Sequence, residues 1–476
     1  MNKSYSKYKS VNQKWVKQIP VHWDFKRVKL VFGLRKETNN PIITDNILSL
    51  TAKQGVIPYA EKKGTGGNKP KADLTKYNIC RTGDLLVNNM NVVSGAAGVS
   101  RYTGAVSPVY YPLVIRHNDN VWYYHYIFRL LTFQRSLIGL GKGILMHEND
   151  NGTLTSVRMR ISMDYLGNVL LPVPPRAEQN QIVRFLDWKV SEINRLIRIK
   201  KNQINGYREY EKKVINDKVL YGLQEAPLRE SGNYWVGKIP INWKIIKLGK
   251  FCSFQNGISE SGNFFTSGTP FVGYSDVYRH LELPKYVKGV AKANEQQQEI
   301  FSVRKGDIFF TRTSESIEEI GMAAVCKHTI KDAVFSGFLI RCRPRMPLIN
   351  EDYMKYYLQI PAVRNHFSSM MNIVIRASLG QNLLKQMPVV VPPLKEQKEI
   401  AEFLDAMHER FLRLITTNEE EISMLEELRS TLISDVVTGK IDVRNIPVPA
   451  YEHVDNLTAD DGEGNDEETG IPGEED

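Results

Sequence analysis

Apolar residues recur every three or four positions in a long stretch that follows Pro392 and Pro393. They are Ile400, Phe403, Leu404, Met407, Phe411, Leu414, Leu425, Leu428, Leu432 and Val436. Because an α-helix has about 3.6 residues per turn, this spacing predicts a long amphipathic helix with one apolar face. The stretch after Pro174 and Pro175 shows a similar spacing. The sequence therefore predicts two helices, each of roughly 42 residues and about 63 Å in length.

The two helical stretches are copies of one another. The segment "VPPRAEQNQIVRFLD" at 173–187 returns as "VPPLKEQKEIAEFLD" at 391–405, an offset of 218 positions. This offset holds without a gap from Arg158 to Val219. One inserted residue would rotate the apolar face of a helix by about 100°, so a gapless repeat is typical of a helix.

Shorter blocks repeat upstream of each helix, at offsets that drift from 220 to 226. They are "WVKQIPVHW" at 15–23 with "WVGKIPINW" at 235–243, "RTGDLLV" at 81–87 with "RKGDIFF" at 304–310, and "GAAGV" at 95–99 with "GMAAV" at 321–325. Drifting offsets indicate a shared frame whose surface loops differ in length. The chain is therefore a duplication.

Both helices turn polar at the same middle layer, with Lys200 and Gln203 in the first copy and Asn418 and Glu421 in the second. Antiparallel packing of the helices would cover both apolar faces and bring the polar layers together. Lys200 would then pair with Glu421, which fixes the register at some cost in stability. The sequence leaves open the alternative that these residues point into solvent.

Strand-like runs such as "GDLLVNN", "PLVIRH", "GDIFFTRT" and "FLIRCRP" lie between Gly-, Asn- and Ser-rich loops. The predicted fold class is α+β, with two globular α/β domains in a pseudo-twofold arrangement, separated by two long antiparallel coiled-coil helices. The predicted ranges are domain 1 at 1–175, the central helix at 176–222, domain 2 at 223–393, the C-terminal helix at 394–440 and an acidic, disordered tail at 441–476.

The distribution of charge adds a candidate partner. The formal net charge is +10, but the stretch from Val454 to Asp476 carries ten acidic residues and no Lys or Arg. The rest of the chain therefore has a net charge of +20, ten more than the whole. So basic a surface favours a polyanionic partner, nucleic acid above all, although proteins that bind none also show such an excess. One hypothesis is that the acidic tail shields this surface.

Motifs of catalysis are missing from the sequence. It has no phosphate-binding G-x-x-x-x-G-K-[ST] loop, no N-P-P-Y motif of methyltransferases and no G-x-G-x-x-G after a strand. The nine histidines are scattered and the four cysteines lie far apart, so neither a metal site nor a disulfide framework is expected. No apolar run is long enough to span a bilayer, so we expect no membrane partner and a cytoplasmic location. These absences favour a binding protein over an enzyme.

The repeated pattern resembles one known family. Two variable segments, each introduced by W-x-x-x-I-P-x-x-W, each with a G-D-[LI] strand and each closed by a P-P-x-x-E-Q-x-x-I-x-x-F-L-D helix, are similar to the specificity subunits of Type I restriction-modification systems. The resemblance covers residues 15 to about 445. It implies two target recognition domains that bind double-stranded DNA, helices that act as a spacer, and no catalysis in this chain. The acidic tail departs from the family pattern.

The same resemblance implies partners and cofactors. Two methyltransferase subunits would bring S-adenosylmethionine and methylate adenine at N6. Restriction subunits, which are translocases, would bring ATP and Mg²⁺. No cofactor is expected in this chain itself, which fits the missing motifs.

The segments between the shared blocks differ almost entirely. In domain 1 the chain reads "YAEKKGTGGNKPKADLTKY", and in domain 2 it reads "TSGTPFVGYSDVYRHLELPKY". Two identical domains related by a twofold axis would read a palindrome, so two unlike domains predict an asymmetric, bipartite site. The length of the helices would set the spacing of its half-sites.

Candidate DNA-binding residues are hydrogen-bonding side chains in loops, because Arg matches guanine and Asn or Gln matches adenine in the major groove. In domain 1 they are Lys62, Lys63, Lys69, Lys71, Asn88, Asn89, Asn91, Lys142 and Arg158. In domain 2 they are Arg312, Thr313, Ser314, Arg376 and Ser378. Each could equally contact a phosphate or only solvent. Arg158 and Arg376 occupy equivalent places, which favours a role in backbone binding, since a shared residue cannot explain different specificities.

Two other classes of function stay open on the sequence. One is a coiled-coil protein scaffold without sequence-specific DNA binding. The other is a DNA-modifying enzyme whose motifs have diverged, which methyl transfer by the purified chain alone would reveal.

Overall fold

The computed structural model describes residues 4–51, 55–62, 70–144, 158–260, 262–314, 320–369 and 377–454. The chain forms two compact units, of which unit 1 comprises Met1–Lys201 with Glu419–Asp476 and unit 2 comprises Asn202–Asn418. Each unit contains one globular domain and parts of two long helices. Mixed helix and strand with two long helices confirms the predicted fold class. The pseudo-twofold arrangement and the domain ranges, apart from the start of the tail, stay predictions.

Among its described residues, the domain of unit 1 contains short strands and four short α-helices. Its strands are β1 (Tyr8–Ser10), β2 (Gln18–Pro20), β3 (Asp24–Arg27), β4 (Phe32–Leu34), β5 (Leu48–Thr51), β6 (Gly55–Pro58), β7 (Asn78–Cys80), β8 (Leu85–Asn88), β9 (Ala97–Val99), β10 (Gly104–Val106), β11 (Tyr110–Ile115), β12 (Lys142–Ile144), β13 (Arg158–Arg160) and β14 (Leu170–Val173). Its helices are α1 (Val28–Val31), α2 (Val121–Phe128), α3 (Leu131–Ser136) and α4 (Met163–Leu166). The first long helix, α5, runs from Arg176 to Tyr221.

The domain of unit 2 is also built from short strands and short helices. Its strands are β15 (Leu228–Glu230), β16 (Lys238–Pro240), β17 (Lys244–Lys247), β18 (Cys252–Asn256), β19 (Thr269–Val272), β20 (Gly289–Ala291), β21 (Ile308–Thr311), β22 (Thr313–Ser314), β23 (Ala323–Val325), β24 (Val334–Phe335), β25 (Leu339–Pro344), β26 (Ala377–Ser378) and β27 (Pro388–Val391). Its helices are α6 (Leu248–Phe251), α7 (Tyr274–Tyr278), α8 (Glu295–Ile300), α9 (Glu351–Tyr357), α10 (Pro361–Ser369) and α11 (Gln381–Gln386). The second long helix, α12, runs from Leu394 to Val437.

Each domain has its own four-stranded central sheet, and the two sheets have equivalent strand orders. In unit 1 the strand order is β4-β11-β8-β9, and in unit 2 it is β18-β25-β21-β23, with every neighbour antiparallel. The G-D-[LI] blocks form the inner strands β8 and β21. The domains differ outside this sheet, where only unit 2 has a parallel pair, β19 with β24, among the described strands. The repeated blocks therefore encode a common frame, as the sequence predicts.

A tryptophan holds the start of one long helix in each domain. The indole Nε1 of Trp23 donates to Glu178 Oε1 at 3.0 Å in unit 1, and that of Trp243 donates to Glu396 Oε2 at 2.8 Å in unit 2. These are the last tryptophan of each W-x-x-x-I-P-x-x-W block and the glutamate of each P-P-x-x-E-Q block. Their pairing explains why the two blocks occur together in both halves of the chain.

The glutamine after each glutamate ties the helix to the rest of its domain. Gln179 is fully buried, donates to the Pro174 carbonyl at 2.9 Å and accepts from the Asn120 amide at 2.7 Å. Gln397 does the same with Pro392 at 2.8 Å and Asn350 at 2.8 Å. Because Asn120 and Asn350 are the N-caps of α2 and α9, each glutamine fixes one long helix against the N-terminus of a buried short helix.

Each tryptophan also contacts the end of the other long helix. In unit 1, Gly439 follows α12 with φ of 76°, and a Cβ there would lie 3.0 Å from the ring of Trp23. In unit 2, Gly222 follows α5 with φ of 84°, and a Cβ there would lie 3.1 Å from Trp243. Glycine is the residue that adopts this left-handed conformation at a helix end without strain. One helix therefore starts and the other ends at each tryptophan.

The two long helices pack antiparallel in each unit. In unit 1, Lys200 forms an ion pair with Glu421, and Arg429 donates to Asn194 Oδ1 at 2.7 Å. In unit 2, His408 Nδ1 lies 2.6 Å from Glu211 Oε1. Residue numbers that rise along α5 fall along α12, as antiparallel packing requires. The predicted pairing of Lys200 with Glu421 is confirmed, and the alternative of a purely solvent-facing layer is wrong.

Residues 441–454 do not belong to a disordered tail. Ile441 and Val443 are buried in the core of unit 1, and Val454 is 6% exposed. The prediction that the tail begins at residue 441 is wrong for this segment, because its apolar side chains pack on unit 1. Residues 455–476 lie outside the described residues. We call residues 441–454 the C-terminal strap.

A buried aspartate precedes the inner strand of each central sheet. The arginine that pairs with it lies at a different position in each unit. Asp84 receives two hydrogen bonds from Arg35, at 2.7 and 2.8 Å. Asp307 receives two from Arg343, at 2.6 and 2.7 Å. Arg35 follows the edge strand β4, whereas Arg343 lies on β25, the strand between β18 and β21. By register, Val114 of unit 1 corresponds to Arg343.

The two alternative arginine positions predict that a second substitution can restore the stability lost when Arg35 is replaced. Arg35→Gln leaves Asp84 buried without its partner and should destabilise unit 1 by about 3 kcal/mol. Adding Val114→Arg copies the arrangement of unit 2 and should restore much of the loss. Hydrogen exchange of the β8 and β11 amides measures both effects, with β21 and β25 of unit 2 as the internal control. Equal exchange in the single and double variants would contradict the equivalence of the two arginine positions.

Candidate nucleic-acid interface

The end of each inner strand is joined to a segment far away in the sequence. In unit 1 the carbonyl of Asn89, just after β8, accepts from the amide of Ile161 at 2.9 Å. In unit 2 the carbonyl of Arg312, just after β21, accepts from the amide of Leu379 at 2.7 Å. These two bonds are equivalent, so the same backbone ledge exists in both domains. We call it the strand-end ledge.

The ledge gathers candidate residues that the sequence could not place together. In unit 1 it brings Asn88, Asn89 and Asn91 next to β13, which carries Arg158 and pairs with β12, which carries Lys142. In unit 2 it joins Arg312, Thr313 and Ser314 to Ser378, because β22 pairs with β26. Of the residues at 142, 158, 314 and 378, the structure describes the backbone alone.

The ledge of unit 1 is basic. Lys142 lies directly opposite Arg160 in the β12–β13 ladder, and Arg158 lies two residues before Arg160 on β13. Like charges directly across a ladder are destabilising unless an anion neutralises them. This ribbon is therefore suited to a phosphate backbone. Arg160 was not among the predicted residues, and its place two positions after Arg158 was the signal that could have found it.

Asn88 and Asn89 are buried in the structure, being 8% and 1% exposed. Asn88 Oδ1 accepts from the amide of Met90 at 3.0 Å, so its side chain shapes the turn after β8. The carboxamide of Asn89 has no hydrogen-bond partner within the described part of the chain. Neither side chain is open to a ligand in this arrangement, and a DNA-binding role for them stays a prediction.

The ledge of unit 2 is neutral to basic and carries an aromatic ring. Arg312 is half-buried, with Nη1 donating to the Gly337 carbonyl at 3.5 Å and its amide donating to the Phe338 carbonyl at 2.8 Å. Phe338 is 59% exposed beside it. An arginine and an exposed phenylalanine can contact guanine and a thymine methyl, respectively. Sequence reasoning missed Phe338, because no local pattern distinguishes it from a core residue.

The remaining candidates lie elsewhere or outside the described residues. Lys62 follows a short 3-10 helix after β6, and Lys71 is exposed, with its amide donating to the Tyr77 hydroxyl at 3.1 Å. Lys63, Lys69 and Arg376 lie outside the described residues. Within the described ranges, no group of three or more His, Cys, Asp or Glu side chains is arranged to hold a metal ion. No described helix has the length and apolarity of a membrane span.

A family model for the Type I restriction modification DNA specificity domain matches residues 240–424. Over 446 residues the chain is 22% identical to a Methanocaldococcus jannaschii protein assigned as the type I restriction enzyme MjaX specificity subunit, covering 90% of this chain and 95% of that protein. It is also 25% identical to the Escherichia coli K12 type I restriction enzyme EcoKI specificity subunit over 235 residues, 48% of each chain. These matches support a Type I restriction-modification specificity subunit.

Solved structures have the same fold. A chain from a structure of a type I R-M system, concerned with its complex assembly and conformational transition, has a TM-score of 0.65 at 14% identity and matches 89% of this chain and 99% of its own. The HsdS subunit from Thermoanaerobacter tengcongensis has a TM-score of 0.50 at 16% identity, over 90% of this chain and 100% of its own. The fold is thus retained where most side chains have changed.

The two adjacent asparagines at the end of β8, Asn88 and Asn89, give a matched test. Asn89→Leu removes a carboxamide that is buried without a partner among the described residues and should raise the stability of unit 1 by about 1 kcal/mol. Asn88→Leu removes the acceptor of the Met90 amide and should lower stability by about 1 kcal/mol. Pulse proteolysis across a urea series, read from fragments of unit 1, measures both. A loss of stability in Asn89→Leu would show that its carboxamide has a protein partner.

Proposed function

We propose that this chain recognises an asymmetric, bipartite DNA site, one half-site with each domain, and directs adenine methylation and restriction by partner subunits. The observation that carries the proposal is the strand-end ledge. An equivalent backbone hydrogen bond forms the ledge in each unit, accepted by the carbonyl of Asn89 in unit 1 and by that of Arg312 in unit 2. The side chains on it differ, being Asn, Lys and Arg in one unit and Arg, Thr and Ser in the other. A shared scaffold with different hydrogen-bonding groups fits two half-sites of different sequence.

The basic character of the chain supports DNA as the ligand. Phosphate contacts supply most of the affinity of a DNA-binding protein, and Lys and Arg make them. The net charge of +10 includes ten acidic residues after Val454, so the remainder is far more basic than the total indicates. The Lys142–Arg160 ladder places part of this charge at the ledge itself.

Catalysis is assigned to other chains. Methylation of adenine needs S-adenosylmethionine, and restriction needs ATP and Mg²⁺, and the motifs that bind them are missing from this sequence. Two methyltransferase subunits suit a chain that presents the same frame twice. Restriction subunits complete the assembly, and the work is done in the cytoplasm, where host and invading DNA meet.

The helix α5 supplies the spacer in this proposal. It is one continuous helix of 46 residues, which is about 69 Å at about 1.5 Å per residue. A rigid spacer selects which turns of the duplex are reached, so it also sets the number of unread base pairs between half-sites.

Mapping methylated adenines tests the proposed function. In a host that expresses this chain with its methyltransferase subunit, we expect one motif with two unlike half-sites and a fixed gap. The same host with the methyltransferase alone should lack this motif. A palindromic motif would contradict the asymmetry, and methylation by this chain without a partner would contradict the assignment of catalysis.

Substitutions at Arg312 and Arg376 separate base reading from backbone binding. Arg312→Gln should relax the preference at one guanine and reduce discrimination there by about 1–3 kcal/mol. Arg376→Gln should weaken binding to all sequences and reduce the salt slope by about 0.9. Affinities for a duplex series with single base changes, measured over several salt concentrations, check both. A uniform loss in Arg312→Gln would count against base reading by this residue.

A further inference from the structure

The C-terminal strap runs along α5. Gln181 donates to the carbonyls of Val443 at 3.1 Å and Ile446 at 2.7 Å. Further along α5, Asn194 donates to the Val454 carbonyl at 3.0 Å, and the Val454 amide donates to Ser191 Oγ at 3.3 Å. The strap therefore runs in the same direction as the helix. Its last described residue is fixed at Asn194.

The strap is anchored along its length. Ile441 and Val443 enter the core of unit 1 near the start, and Val454 is buried at the end. Arg444 lies over the ring of Tyr5, with its guanidinium carbon 4.9 Å from the ring centroid. The chain beyond the strap therefore leaves unit 1 from a defined place.

Arginines lie close to that place. Asn194, which holds Val454, also accepts a hydrogen bond from Arg429 at 2.7 Å. Burial lowers the pKa of Arg129, and the positive charge of Arg429 lowers it further. Arg195 is exposed next to Asn194 and Arg198 is half-exposed one turn beyond, and neither has an ion pair among the described residues. We call Arg129, Arg195, Arg198 and Arg429 the arginine patch.

The segment that leaves from this patch is acidic. Residues 455–476 begin with Asp455, directly after Val454, and contain ten carboxylates and no Lys or Arg. Each residue of a chain can span at most about 3.6 Å, so the strap holds the first of these carboxylates close to Asn194. The arginine patch lies around the same residue, and the two sets of charges are complementary.

We propose that residues 455–476 dock on the arginine patch of unit 1 and compete there with the phosphate backbone of non-specific DNA. Docking is independent of the proposed function, while the competition rests on DNA being the ligand. Non-specific binding is almost wholly electrostatic, so an internal polyanion weakens it more than it weakens binding to the correct sequence. The tail thereby raises the selectivity of the chain.

Carbodiimide cross-linking of the full chain tests docking without DNA. Arg195→Lys and Arg198→Lys keep the positive charge and add an amine, which forms an amide with a carboxylate as water is lost. Residues 445–476 contain no Lys or Arg, so one tryptic peptide carries the whole tail. We expect this peptide to link to the introduced amines in preference to other exposed lysines, such as Lys14, and to lose the links at high salt. Links spread evenly over exposed lysines, or none, would overturn the docking.

Affinity for a duplex without the target motif tests competition. We compare the full chain, a chain that ends at Val454, and a full-length chain with every Asp and Glu of 455–476 replaced by Asn and Gln. The second and third should bind about tenfold more tightly at low salt, with a salt slope steeper by about 0.9 for each additional phosphate that the protein neutralises. Equal affinities in all three would overturn the competition. An altered methylation motif in the shortened chain would also contradict it, since the tail reads no bases.

Discussion

The tryptophan of each domain lies where one long helix begins and the other ends, and the rest of the structure depends on this junction. Trp23 is bonded to Glu178 at the start of α5 and contacts Gly439 after α12, and Trp243 has the same relation to Glu396 and Gly222. A buried indole N–H needs an acceptor, and a carboxylate is a strong one. Each domain is therefore attached to both helices, and neither helix can shift in register without breaking a buried contact.

The frame is retained through its geometry more than through its side chains. Asp84 and Asp307 occupy the same turn before the inner strand, yet their arginines come from different strands. A buried carboxylate requires a cation within hydrogen-bonding distance. It comes from the adjacent strand β25 in unit 2 and from the end of the edge strand β4 in unit 1. This freedom explains how two domains with little sequence in common, apart from a few blocks, have the same sheet. It also explains how solved structures of 14–16% identity share the fold.

Charge is the feature that distinguishes the variable parts of the chain from the frame that the two domains share. On the ledge of unit 1, Lys142 lies opposite Arg160 on the neighbouring strand, an arrangement that a folded protein tolerates when an anion is its partner. Ten acidic residues follow Val454 in the sequence, and the strap holds Val454 at Asn194, which also binds Arg429. A basic DNA-binding protein must limit its attraction to every duplex it meets. In the proposal above, the positive charge at the ledge attracts DNA, and the acidic residues after Val454 limit the attraction to non-specific duplexes.

The sequence alone determined the elements that depend on local spacing. Periods of three and four predicted the two helices, the gapless repeat predicted their equivalence, and the matching polar layers predicted the pairing of Lys200 with Glu421. The repeated blocks were enough to indicate the family and the common frame. Only the tertiary structure decided that Asn88 and Asn89 are buried, that Arg160 lies opposite Lys142, and that residues 441–454 pack on α5. These facts depend on which distant segments of the chain contact one another. Such contacts are set by the packing of the whole unit, and the periodicity of a single stretch of sequence does not contain that information.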